Sequence, residues 1–221
     1  MDIVLSEIEV RVLGSLVEKE STTPDYYPLS LNALINACNQ KSNRDPVMSL
    51  DENEVRDALE SLREKNLARQ VSTFDSRVPK YGHGLQEVFN FDRRETAVIC
   101  VLFLRGPQTP GEIRGRSERM YHFEDLEGVE STLNRLIERQ PPLVKRLARQ
   151  PGTKESRYAH LVAGDVESEW DGEAQSQSAD SQPSSAVSEK RIAQLEAEVE
   201  RLRAEMADLR RQLTEFRQQF E

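Results

Sequence analysis

Apolar residues recur at helical spacing along the chain, and they do so twice in the same order. Ile8, Val12 and Leu16 fall on one face at four-residue steps, and Leu31, Leu34, Ile35 and Cys38 follow at i, i+3, i+4 and i+7. A third run, Val55, Leu59 and Leu62, leads through Leu67 into a polar stretch that closes with Lys80, Tyr81, Gly82 and His83. The plan then returns. Ala97, Val98, Val101, Leu102 and Leu104, apolar on nearly every side, predict a central helix, and Val129, Leu133, Leu136 and Leu143 lead to Arg157, Tyr158, Ala159 and His160. A unit repeated at this length is a repeated small domain. Helix-spaced runs followed by two short extended segments predict a helix-turn-helix core with a β-hairpin wing in each copy. The expected fold class is mainly α with small β-hairpins (α+β), as two tandem winged-helix domains over residues 1–88 and 89–162.

Start and stop signals sharpen the elements. Ser6 with Glu9, Ser49 with Glu52, and Asp92 with Glu95 have capping-box spacing. Thr109, Pro110 and Glu112 supply an N-cap, a first-turn proline and an acid at N3 for a short helix that Gly115 weakens. Thr22 to Pro24, Asn39 and Asn66 are stops, and Pro141 with Pro142 ends the last helix. Leu67–Val71 and Arg77–Tyr81 predict the first wing, Leu143–Arg149 and Ser156–Val162 the second.

Beyond residue 162 the pattern changes. Residues 163–188 hold six acids and no base, rich in Ser and Gln, which predicts a disordered acidic linker. Ile192, Leu195, Val199, Leu202, Met206, Leu209, Leu213 and Phe216 then alternate three- and four-residue steps, predicting a coiled coil over 189–221. With Ile192 at position a, Glu198 and Glu205 at g face Arg203 and Arg210 at e of a parallel partner, so homo-oligomerisation is expected; a lone helix folded back on its own domains is the alternative.

Charge is partitioned along the chain. The net charge is −9, yet residues 92–162 carry 13 basic against 10 acidic residues while residues 1–91 carry 10 against 15. The second unit is thus the basic one. Arg114, Arg116 and Arg119 surround its short helix, and Lys145, Arg146, Arg149, Lys154 and Arg157 populate its wing. Cations there would neutralise phosphate and give salt-dependent, largely sequence-independent affinity. A solvated β-edge kept charged against aggregation explains the same residues. The third helices, with Asp51, Glu52, Glu54, Asp57 and Glu60 in one copy and Glu127, Glu130 and Glu138 in the other, argue against base reading, because carboxylates repel phosphate.

Other chemistry is not expected. Cys38 and Cys100 lie in apolar helical runs without C-x-x-C spacing and are expected as buried thiols. His83 and His160 occupy matching positions, which suggests a shared structural role, and neither they nor His122 have ligand-spaced neighbours for a metal. No phosphate-loop, nucleophile-elbow or dinucleotide fingerprint occurs, so no enzyme activity and no cofactor are expected. No basic, apolar leader opens the chain and no run reaches the roughly 20 apolar residues of a membrane span, so a cytoplasmic location is expected.

The run Cys38, Asn39, Gln40, Lys41, Ser42, Asn43, Arg44, Asp45, Pro46, Val47, together with Lys80 to His83 and Arg105 to Arg114, resembles the YceH-like bacterial proteins over about residues 3–162. The resemblance implies a tandem winged-helix fold and brings no catalytic residues, since the function of that family is uncharacterised. Asn43 to Pro46 has the composition of an Asx-type turn joining helices two and three. The function expected is non-enzymatic, either nucleic-acid-binding or regulatory, through the basic second domain. The alternative is a protein-interaction scaffold using the winged-helix domains and the coil.

Overall fold

Each long helix begins where a side chain can satisfy its free backbone amides. The computed structural model describes residues 4–71, 78–149 and 155–164, all within one unit, Met1–Ala174. Helix α1 (Glu7–Thr22) starts at Ser6, whose hydroxyl accepts from the Glu9 amide at 3.2 Å while Glu9 accepts from the Ser6 amide at 2.6 Å. Strand β1 (Leu29–Ser30) passes directly into α2 (Leu31–Cys38), where Ser30 is the N-cap. Helix α3 covers Glu52–Glu64 and ends against Asn66, which takes the left-handed conformation at φ 60°. Strands β2 (Ala68–Val71) and β3 (Lys80–His83) follow, then a short α4 (Leu85–Phe89). The second half contains α5 (Arg93–Arg105), α6 (Pro110–Ser117), α7 (Leu126–Glu138), β4 (Val144–Arg146) and β5 (Tyr158–His160).

Two expectations are corrected. Helix α3 is capped by Asp51, not Ser49: its carboxylate accepts from the amides of Asn53 and Glu54 at 2.8 and 2.9 Å, and the Glu54 carboxylate in turn accepts from the Asp51 amide. The Asn39 side chain binds both backbone groups of Leu50, at 2.8 and 2.7 Å, so the chain is committed elsewhere at the point where a Ser49 cap would have started the helix. The return strand of the first hairpin begins at Lys80, after Val78 and Pro79, and continues past the expected end at Tyr81 to His83, because β3 is the middle strand of a sheet ordered β1-β3-β2. Leu29 opposite Tyr81 and Ala68 opposite His83 fix its register from both sides.

The second half follows the same connectivity. Gln108, between α5 and α6, exchanges two backbone hydrogen bonds with Tyr158 at 3.0 and 2.8 Å, so it stands beside β5 as β1 stands beside β3. Strands β4 and β5 pair antiparallel with Val144 opposite His160. The described residues therefore form a helical fold with two small antiparallel sheets.

One core runs through both halves. Helices α1 and α5 pack closely where Gly14 meets Phe103 and Leu104, and the buried Cys100 thiol donates to the Gly14 carbonyl at 3.4 Å. Val12, Leu13, Leu16 and Val17 of α1 join Val98, Ile99 and Leu102 of α5 in a continuous apolar cluster. The Leu5 amide donates to the Val162 carbonyl at 2.7 Å, tying the start of the first half to the end of the second. Cys38 and Cys100 are buried free thiols, as expected, and burial pushes the Cys38 thiol up to about 11. Among the described residues no helix is long and apolar enough to cross a membrane. The coiled coil expected over 189–221, nearly all of the expected linker and Lys154 lie outside the described residues.

Candidate nucleic-acid interface

Helix α6 organises the basic residues of the second half. Its capping box holds Thr109 and Glu112 against each other, and this fixes the Glu112 carboxylate at the helix start. Arg157 reaches that carboxylate from just before β5 at 3.0 Å and also donates to the Pro107 carbonyl at 2.8 Å; Arg116 approaches from one turn along α6 at 3.5 Å. Burial pushes the Glu112 carboxyl up, but the Thr109 amide and the two guanidinium charges outweigh it and hold it below the usual range. Arg114 turns inward instead. It donates to the carbonyls of Phe123 and Glu124 at 3.1 and 2.5 Å, closing the loop between α6 and α7.

The remaining basic residues divide between two places. Arg146 and Arg149 are exposed on the outgoing arm of the hairpin, and Lys145 is half-buried there. Arg119 is exposed just past the end of α6. The structure thus gathers Arg116 and Arg157 around Glu112, sets Arg146 and Arg149 along the hairpin, and gives Arg114 an internal bonding role. The exposed faces of α3 and α7 carry acids: Glu52, Glu54, Asp57 and Glu60 on one, Glu127, Glu130 and Glu138 on the other.

Sequence patterning did not single out the two arginines that build the segment between α2 and α3. Arg11 is 2% exposed within α1 and donates to the carbonyls of Cys38 at 3.2 Å and Pro46 at 2.6 Å. Arg44 donates to both oxygens of Glu18 at 3.1 and 2.6 Å, and to the carbonyls of Ala37 and Asn43 at 3.1 and 2.8 Å. Paired, planar bonds of this kind are the strongest that arginine makes with a carboxylate. Asn43 takes a left-handed conformation at φ 61° and its side chain accepts from Arg105, while the Asp45 amide donates to the Leu104 carbonyl at 2.9 Å. The turn is a bonded bridge between the halves. Nothing in apolar periodicity marks a buried cation, and only the odd placement of Arg11 between Val10 and Val12 offered a signal.

The histidines differ among themselves. His83 is buried, accepts from the Leu85 amide at Nδ1, at 3.2 Å, and therefore presents Nε2–H to Glu20 at 2.8 Å. The His160 ring packs edge-on to Phe103, its Nδ1 is buried without a hydrogen-bond partner among the described residues, and burial pushes it down to about 4. His122 pairs with Glu118 at the surface. No group of metal-ligating side chains occurs among the described residues.

These features define a helical protein with two small sheets, two halves of like connectivity on one core, and exposed cations on the hairpin and past the end of α6 in the second half. The chain belongs to the family described as a protein of unknown function, DUF480, which matches residues 5–153. Among its relatives, the UPF0502 protein of Koribacter versatilis is 62% identical over 162 residues, which is 73% of this chain and 75% of the relative. That of Solibacter usitatus is 61% identical over 167 residues, 76% of this chain and 80% of the relative. That of Geobacter sulfurreducens is 58% identical over 165 residues, 75% of each chain. The family of uncharacterised bacterial proteins to which the sequence pointed is therefore the right one.

Proposed function

We propose that this chain is a non-enzymatic tandem winged-helix protein of the cytoplasm that holds nucleic-acid backbone through its second half. The reading rests on one observation: each half runs helix, short strand or bridge, helix, helix, then a hairpin whose return strand lies in the middle, as Leu29 beside Tyr81 and Gln108 beside Tyr158 mark out. That is the connectivity of a winged helix. In the second half the hairpin carries exposed Arg146 and Arg149, and the chain continues to Lys154. Phosphate is the partner that scattered, exposed cations suit, since backbone contacts require charge but no base-specific geometry.

The acidic face of α7 gives the proposal its character. A helix bearing Glu127, Glu130 and Glu138 is repelled from a groove, so affinity comes from the hairpin and is indifferent to sequence. Self-association through the heptads at 189–221 then multiplies a weak interaction by effective concentration. The test is a salt series of full-length chain with a generic DNA duplex. Binding should weaken linearly on a log–log scale, and Ala at Arg146, Arg149 and Lys154 together should flatten the slope by roughly 0.9 for each phosphate no longer neutralised. No binding at low salt, or an unaltered slope, rejects the reading. The acidic face of α3 favours the alternative of a protein scaffold, which gains if partners stay bound at high salt after nuclease treatment.

A further inference from the structure

The bonded turn between α2 and α3 forms one wall of a cleft whose other walls come from α1, α5 and α6. One lobe, about 420 Å³, is lined by Lys19, Thr22, Gln40, Lys41, Asn43 and Arg119, with Ser42 and Glu18. An adjoining lobe of about 200 Å³ shares Glu18, Thr22, Asn43 and Arg119 and adds Arg105, Arg116 and the apolar Val101, Leu104 and Met120. We infer that this cleft binds a small phosphorylated organic molecule, its phosphate on Lys41 and Arg119 and its organic part on the Val101, Leu104 and Met120 surface. The cleft is separate from the hairpin surface proposed above, because Arg146 and Arg149 do not line it.

Cations outnumber acids in both lobes together. Lining them are Lys19, Lys41, Arg105, Arg116 and Arg119 against two acids, Glu18 and Glu118. Both acids are engaged. Glu18 accepts from Arg44 and lies 3.3 Å from Lys19, and Glu118 is paired with His122 at 2.7 Å. Arg105 is bonded to Asn43, and Arg116 leans away toward Glu112. Lys41 and Arg119 lack an ion pair among the described residues, and both are exposed at the same lobe. In a chain of net charge −9, an excess of cations in one concavity is a local positive field, which low-dielectric walls focus on an anion.

Shape and rigidity favour a small ligand. A concave site of a few hundred cubic ångströms suits a metabolite-sized molecule, with polar groups at one end and an apolar surface at the other. Gln40, Ser42 and Asn43 offer neutral donors beside the cations, and Arg44 and Arg11 fix the backbone that presents them, so little ordering opposes binding. Gly115 lines the second lobe, and among the described residues nothing stands within 4 Å of where its side chain would begin. Among the described residues no aromatic side chain lines either lobe, so recognition centres on the phosphate rather than on stacking a base.

The experiment is isothermal titration calorimetry of the full-length chain with inorganic pyrophosphate, with glucose 6-phosphate and with ADP, beside the same DNA duplex. Saturable 1:1 binding of at least one of the three small probes is expected, weakened about tenfold by K41A and by R119A and unchanged in R146A/R149A. Both cleft residues are exposed and make no ion pair among the described residues, so the variants should retain the parent melting temperature. No saturable binding of any small probe overturns the inference, as does binding that survives K41A/R119A. Loss of DNA binding alone in K41A/R119A, without small-probe binding in the parent, also overturns it and makes the cleft part of a nucleic-acid track. Failure of the hairpin variants to alter DNA binding bears only on the proposed function.

Discussion

Arg44 shows how a charged side chain can be a structural element. Its side chain is fully withdrawn from solvent, and its partner Glu18 is 14% exposed. Burial pushes the Glu18 carboxyl up, but the bonds and charge of Arg44, helped by Lys19, outweigh it and hold the group below its ordinary value. Replacing Arg44 by Met should therefore cost about 3 kcal/mol, since it strands Glu18 and frees two carbonyls. The E18Q/R44M pair should cost less than the sum of its single changes in urea unfolding. The pH dependence has two windows. Glu18 titrates lower folded than unfolded, so its contribution is present above the unfolded value near 4.5 and is lost as pH falls below it. His160 is a base whose folded value, about 4, lies below the ordinary 6.5, so the unfolded chain takes up its proton first and stability declines as pH falls from about 6.5 through 4. H160F keeps the edge contact to Phe103 and should flatten the upper window alone in melting curves taken across pH. The Arg44–Glu18 pair was illegible in the sequence for a physical reason: periodicity reports burial for apolar side chains, and an arginine in that pattern is indistinguishable from one that reaches solvent.

Among the elements, α6 carries two opposed influences that mutation can separate. Its start is strongly specified, with the Thr109 hydroxyl accepting from the Glu112 amide at 3.2 Å and Pro110 in the first turn. T109A should cost about 1 kcal/mol by freeing that amide. Gly115, in the interior, gives the backbone freedom the helix must surrender, and its missing side chain faces open space. G115A should therefore stabilise by up to about 1 kcal/mol. Opposite shifts in melting temperature from these two changes are the check, and a fall with G115A would mean that the glycine meets a constraint other than helix formation. The caps of α1, α5 and α6 were legible because a short side-chain pattern encodes them directly. The start of α3 was not: Ser49 and Asp51 each have an acid three residues on, and what decides between them is Asn39, eleven residues before Leu50 and bonded to it. Strand β1 and the Gln108 bridge were invisible for a similar reason, being too short to show alternation and defined only by the strand they lie beside. Of the basic cluster, position along the chain was legible and engagement was not, since Arg114 and Arg157 are tied to carbonyls that the sequence does not mark as neighbours.

At the scale of the molecule, the repeat conceals how far the halves depend on each other. Helix α1 contributes to the first half's core and also lies against α5, where a Cβ on Gly14 would come within 2.9 Å of Leu104 and 3.0 Å of the Phe103 Cβ. The Leu104 tip could swing aside, but the Phe103 Cβ is fixed to the α5 backbone, so the helices themselves must separate. G14A adds helix propensity worth up to about 1 kcal/mol, yet overpacking at a fixed backbone costs roughly 1–3 kcal/mol. Net destabilisation is expected, and its distribution is the informative quantity. If the continuous core makes the halves one cooperative unit, amide exchange in α2 and in α7 should proceed through the same global opening, and G14A should lower protection in both helices equally. Loss of protection confined to one half would show that the shared cluster joins two independently folding bodies. Equal loss would mean that the cleft between α1, α6 and the Arg44 turn is held at fixed width by global stability, the condition a preformed anion site requires.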